Sequence, residues 1–165
     1  MKRFIFYLLT IWLILWLQIL GNAFLGGSGF SVDGILVVAL YFGLNYGPMT
    51  GEILGFIWGL LMDASSLGLM GVHGLLYAAA GFTAGMLRRQ LDGEKAWTQV
   101  LFSFGISVPY VVIYYGLDHL FATSAKSFSW ADLGQPVANG LVAPLLFWMV
   151  RQWTIAWDFG PHMER

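Results

Sequence analysis

The sequence contains no cysteine. A disulfide framework, a thiol nucleophile, haem attachment through CxxC and a cysteine-ligated metal cluster are therefore excluded, and the redox compartment cannot be read. Charge is nearly as scarce: only 10% of the 165 residues are Asp, Glu, Lys or Arg, against about 25% in soluble domains. The formal net charge of -1 leaves no basic footprint for nucleic acid. What fills the chain instead is apolar, 58% of it, with a mean hydropathy of +0.71. That composition excludes a water-soluble globule.

Ionisable residues punctuate long uncharged runs. Nothing charged lies between Arg3 and Asp33, between Lys95 and Asp118 or, His73 apart, between Asp63 and Arg88. About 20 apolar residues cross the roughly 30 Å of a bilayer's hydrocarbon, so each run is long enough to span. The pattern predicts an all-α polytopic membrane protein, a six-helix bundle forming one integral membrane domain over residues 1–165. Its spans fall near 4–24, 32–46, 50–63, 71–87, 97–121 and 133–150. The second and third are short, and Gly47-Pro48 interrupts helical hydrogen bonding between them, which leaves open whether that pair crosses fully.

Lys2 and Arg3 ahead of an apolar run resemble a signal peptide. The run outlasts an h-region of about 7–15 residues and five apolar segments follow it, so it reads as a retained anchor. A cytoplasmic N-terminus places seven of the eight basic residues inside and Lys126 alone outside, with the C-terminus cytoplasmic as well. The outer ends then collect Asp33, Asp63, Asp118 and Asp132 beside His73 and His119, each read singly as a solvated helix end.

Two faces stand out within the spans. Gly51, Gly55 and Gly59 recur every four residues on the third, and Gly74, Ala78, Gly81 and Gly85 line the fourth. These small residues predict two helices whose backbones approach closely, since van der Waals contact holds helices together in lipid. On the fifth span Gln99, Ser103, Ser107, Tyr110, Tyr114 and Asp118 step by three or four into a polar stripe. Such a stripe faces the bundle interior, a cavity or another protein's helix. The sixth span adds Gln135, Asn139 and Gly140, with Asn139 able to hydrogen-bond to the stripe and Pro136 and Pro144 expected to bend or end the helix. Glu52 is the carboxylate placed nearest the hydrocarbon, at a helix N-terminus where the dipole favours negative charge. Asp63 is expected to cap the Ser65-Ser66 turn.

A search for enzymatic chemistry returns little. Ser28 in a glycine-rich loop with His73 is a poor match to an intramembrane serine protease. Asp63 with His73, or Asp118 with His119, has the chemistry of a metal pair, but no HExxH is present and sequence neighbours point to different helix faces. No phosphate loop and no acid–base carboxylate pair occurs. No catalytic, cofactor-binding or metal-binding residue is expected.

The third and fourth spans together read Gly51-Glu52-Ile53-Leu54-Gly55-Phe56-Ile57-Trp58-Gly59-Leu60-Leu61-Met62-Asp63, then Leu67-Gly68, Gly71, His73-Gly74-Leu75, Tyr77, Gly81 and Gly85, ahead of Arg88-Arg89. This string resembles the MreD family of the bacterial rod-shape system. The likeness lies in a Gly-Phe-x-x-Gly-Leu-x-x-Asp core, a Leu-Gly turn, a following His and glycines down the next helix. Val32-Asp33 stands where members commonly carry Pro-Asp. The resemblance implies a non-enzymatic scaffold of the cell-elongation complex in the bacterial cytoplasmic membrane. Its direct partner would be MreC, a single-span protein, with indirect links to MreB, RodA and a class B penicillin-binding protein. It also implies a fold like the six-helix substrate-binding subunits of energy-coupling-factor vitamin transporters, which supplies a second functional reading. The residues carried forward as a partner or cavity face are Asp63, His73, Ser107, Tyr110, Tyr114, Asp118 and Asn139, beside the glycine faces above.

Overall fold

The computed structural model describes residues 2–25, 31–65, 69–121 and 130–157. Among them every regular element is helical: α1 (Lys2–Leu25), α2 (Gly34–Tyr46), α3 (Pro48–Ser65), α4 (Val72–Leu87), α5 (Ala96–Phe121), a 3-10 turn (Trp130–Leu133) and α6 (Gly134–Ala156). The one described helix both long and apolar enough to cross a membrane is α5; Ile5–Gly21, Gly34–Tyr46 and Val72–Leu87 are shorter apolar helical stretches.

The centre of the fold is α2. Every residue from Gly34 to Leu44 is buried, and a helix that is apolar all round has no solvent face to present. Asp33 starts it as N-cap, its carboxylate accepting from the Leu36 amide at 3.1 Å. Gly47 ends it at φ +100, a left-handed value that glycine adopts without a Cβ clash, so Pro48 can open α3 at once. Thus α3 starts two residues earlier than expected. Packed on α2 and on each other, α3 and α4 complete a tight trio.

Small residues make that trio possible. A Cβ on Gly51 would lie 2.6 Å from the Gly43 Cα, and one on Gly59 would lie 2.5 Å from the Gly74 Cα. Cβ additions at Gly43 and Gly81 would likewise run into opposing backbone. The chains therefore meet backbone to backbone, where dispersion forces are densest.

Against α2 and α4 of this trio, α5 and α6 pack mainly on one another. The expectation that Pro136 and Pro144 bend or end the sixth helix is corrected in one respect: neither ends it. Pro136 falls in the first turn, where an amide would be unbonded anyway. Pro144, like Pro109 in α5, lies inside a continuous helix. Beyond its expected end α6 continues to Ala156, carrying Arg151 with it. Arg151 meets Glu94 at 3.3 Å and Lys95 meets Asp92 at 2.9 Å, which organises the 88–95 connection. The Lys95 hydrogen bond holds the Asp92 carboxyl below the ordinary carboxylate range.

By contrast α1 is a strap laid on the bundle. Its polar ties include the Trp153 indole donating to Thr10 Oγ1 at 3.1 Å and the Ile35 amide donating to Gln18 Oε1 at 3.4 Å. Large apolar side chains, among them Trp12, Trp16, Ile53, Phe82, Val112 and Trp148, are exposed on the outer helices. An apolar surface of that extent suits hydrocarbon and not water.

Candidate functional site

A polar cluster sits where the last turn of α3, the start of α2, the first two turns of α4 and α6 and the stretch of α5 from Ser107 onward converge. Its first half is built on Asp63. That carboxylate accepts from the backbone amides of Gly71 at 2.9 Å, Gly74 at 3.1 Å and His73 at 3.2 Å, and His73 Nδ1 lies 2.7 Å from Oδ1. Oxygens already engaged as acceptors fix the remaining role, so Nδ1 carries the proton toward them. Asp63 thus caps α4 from the end of α3, satisfying amides that open a helix and meeting the positive end of its dipole. Gly71, at φ +95, allows the chain to turn tightly enough for this. Ser65 Oγ donates to the Met62 carbonyl at 2.8 Å; the expected cap of the Ser65-Ser66 turn reaches Ser66, which lies outside the described residues.

The second half is built on Asp33. While its carboxylate caps α2, it also accepts from the Tyr77 hydroxyl at 2.6 Å. Its backbone amide donates to Asn139 Oδ1 at 2.7 Å, and Asn139 Nδ2 donates to Ser107 Oγ at 3.0 Å. Four helices, α2, α4, α5 and α6, are joined by this one network. Asn139 and Ser107 are fully buried, a setting in which each unmade hydrogen bond would cost about 1–3 kcal/mol.

Aromatic rings connect the halves. His73 lies 4.9 Å from Tyr114 and 5.7 Å from Tyr77, centroid to centroid, and Tyr110 is 5.6 Å from Tyr77 and 6.2 Å from Tyr114. Both Asp63 and Asp118 lie within electrostatic reach of Tyr114. The structure therefore gathers Asp63, His73, Ser107, Tyr110, Tyr114, Asp118 and Asn139 at one end of the bundle, and all but Tyr114 are buried.

Several expectations need correction. Asp33, Asp63 and Asp118 are not solvated ends; each is at most 6% exposed. Unlike Glu52, which is exposed in the second turn of α3, these aspartates are taken into the protein. As surfaces for another protein's helix, the glycine face of α3 and the polar stripe of α5 are already covered by this chain's own helices. Gly55 lies against the Tyr77 backbone and Gly85 against Pro48, Ala78 is buried, and Gln99, Ser103, Ser107, Tyr110 and Asp118 all turn inward.

Two members of the cluster, Tyr77 and Asp33, were not among the residues carried forward as a partner or cavity face. Tyr77 stands one turn after His73 on the same face of α4, and Asp33 directly precedes an apolar run as an N-cap does. Those were the available signals. Among the described residues no three His, Asp or Glu side chains are placed to hold a metal ion. Away from the cluster, a cavity of about 300 Å³ opens between α1 and α6, bounded by Leu13, Leu17, Leu146, Met149, Trp153 and Ala156.

Chemically, the cluster is an arrangement of caps and cross-helix hydrogen bonds. Its carboxylates terminate helices, and its amide and hydroxyls link one helix to the next. The family model described as rod shape-determining protein MreD matches residues 2–155. No curated protein and no solved structure matches the chain.

Proposed function

Because this chain belongs to the MreD family of rod shape-determining proteins, we propose that it is a non-enzymatic membrane scaffold of the bacterial cell-elongation complex that binds MreC. The family is a structural, shape-determining one and a membrane one. On this reading the six helices form a single multi-pass domain in the cytoplasmic membrane, lipid around them and both termini inside. MreC would then connect it to MreB, RodA and a class B penicillin-binding protein.

One observation carries the reading: the polar groups of the cluster bind helices to each other, so its hydrogen bonds fix a shape for other chains to dock on. A partner helix in this scheme uses the outer apolar surface, because the small-residue and polar faces are already covered. Association there rests on packing and a few hydrogen bonds, the forces available in lipid.

A second reading, a substrate-binding subunit of an energy-coupling-factor type transporter, draws on the same cluster. Carboxylates and stacked tyrosines gathered at one end of a bundle are the kind of convergent polar groups that orient a small ligand. Purification in mild detergent separates the two. Stoichiometric co-purification of MreC supports the scaffold; a stoichiometric vitamin in the purified protein defeats it.

A further inference from the structure

The backbone of α1 packs more on α2 than on α6. Against α6 it runs antiparallel. The Phe6 ring lies 6.1 Å from Trp157, the Trp153 indole donates to Thr10 Oγ1 at 3.1 Å, and farther along Ile14 and Leu146 converge over Gly34 of α2. Beside this line of contacts runs the open cavity of about 300 Å³. Indoles apart, the polar side chains on its wall are Thr10 and Gln152. The Thr10 hydroxyl is already taken up by the Phe6 carbonyl and the Trp153 indole.

The size and direction of the groove restrict what fills it. From Leu146 to Ala156 its α6 wall rises about 15 Å at 1.5 Å per residue, close to half of the roughly 30 Å hydrocarbon core, the share of one leaflet. A dry apolar cavity of about 150 Å³ takes up benzene, so one twice as large has room for about a dozen carbons. Another protein's helix, about 10–12 Å across with its side chains, is too wide for it. The segment of this chain that follows Trp157 carries Asp158, Glu164 and Arg165, and charge is disfavoured against an apolar wall in the membrane. A single hydrocarbon tail has the length, the width and the chemistry.

The charge of the two helices points to the headgroup. Between them α1 and α6 carry Lys2, Arg3 and Arg151 and no acidic residue. All three stand toward the end where Phe6 meets Trp157, with Arg151 turned to Glu94 at 3.3 Å. Basic groups at one end of a cleft between membrane helices attract anionic headgroups.

We propose that the α1–α6 groove is a binding site for one anionic phospholipid, an acyl chain lying along Met149 and Leu13 toward Leu146 and Leu17 and the phosphate at the end where α1 begins. Gln152, exposed on the same wall, offers its amide to the ester or phosphate oxygens. The bound tail supplies dispersion contacts that α1 and α6 do not make with each other, and so holds the strap against the bundle. The site rests on the reading of the chain as a membrane bundle and on no protein partner.

In the full chain, reconstituted in phosphatidylcholine nanodiscs, phosphatidylglycerol with a diazirine in one acyl chain is photolysed and the cross-linked peptides are mapped by mass spectrometry. The expected result is labelling concentrated on residues 10–17 and 146–156, chased about tenfold better by unlabelled phosphatidylglycerol than by phosphatidylcholine. Ala156→Trp fills the groove from an exposed position and should abolish that labelling, whereas Val112→Trp on the outer face of α5 should leave it unchanged. Arg3→Gln should cut the preference for the anionic lipid about fivefold, the weight of one basic group beside an anionic surface. Labelling spread evenly over α1, α5 and α6 overturns the site, as does groove labelling that Ala156→Trp leaves intact. Equal chase by the two lipids overturns the anionic headgroup. Should Ala156→Trp not fold, the map and the chase of the parent chain decide alone. Failure to enter nanodiscs would instead overturn the membrane reading beneath the proposal.

Discussion

At the residue scale the decisive feature is a carboxylate that ends one helix and begins another. Asp63 receives three amides and the His73 ring at 2.7–3.2 Å, so its removal leaves several donors without an acceptor. Asp63→Ala should cost about 2–4 kcal/mol, since buried unmade hydrogen bonds to a charged group are more expensive than neutral ones. Asp63→Asn keeps one carbonyl acceptor and should cost less. Tyr77→Phe deletes one hydroxyl donor to Asp33 and should cost about 1–2 kcal/mol. Thermal unfolding in a single detergent ranks the three, and an Asp63→Ala midpoint equal to that of the parent would remove the capping role. The sequence displayed Asp63 and His73 as neighbours of a turn. It did not display the pairing of Asp33 with Tyr77 or with Asn139, whose partners lie 44 and 106 residues away. No local pattern encodes a contact at that separation.

Among the elements, α3 and α4 were the most legible, because small residues at a four-residue spacing mark a single helix face whatever surrounds it. The same sequence has glycines that play no such part: Cβ atoms added at Gly105 and Gly116 on α5 would meet nothing within 4 Å. This contrast gives a paired prediction. Gly55→Leu or Gly59→Leu should force α3 from α4 and sharply lower the yield of folded protein. Gly105→Ala and Gly116→Ala should be neutral or stabilise by about 0.5–1 kcal/mol through helix propensity. Fluorescence-detected size exclusion reads the yield, and equal yields for the two sets would contradict the packing described. The polar stripe of α5 was also legible as a stripe, and its spacing favoured an interior over a partner helix or a cavity without excluding either. Burial against α2, α4 and α6 decided among them.

For the whole molecule, seven of eight basic residues fall at one end of the bundle if the chain crosses six times. Fluorescent reporters fused to either terminus should therefore fold in the cytoplasm, and Lys126 should react with a membrane-impermeant amine reagent in intact, outer-membrane-permeabilised cells. Termini on opposite sides would break the proposed topology. What the sequence by itself determined is the class and the spacing: a helical, apolar chain, with a break at Gly47-Pro48 and with glycines where two helices can touch. Those properties follow from composition and from periodicity over a few residues, which are local. What only the tertiary structure decided is which charged and polar groups leave the surface. Asp33, Asp63 and Asp118 look alike along the chain, and they became caps and buried hydrogen-bonding groups because helices distant in sequence closed over them. Burial is a property of neighbours in space, and no short stretch of sequence carries it.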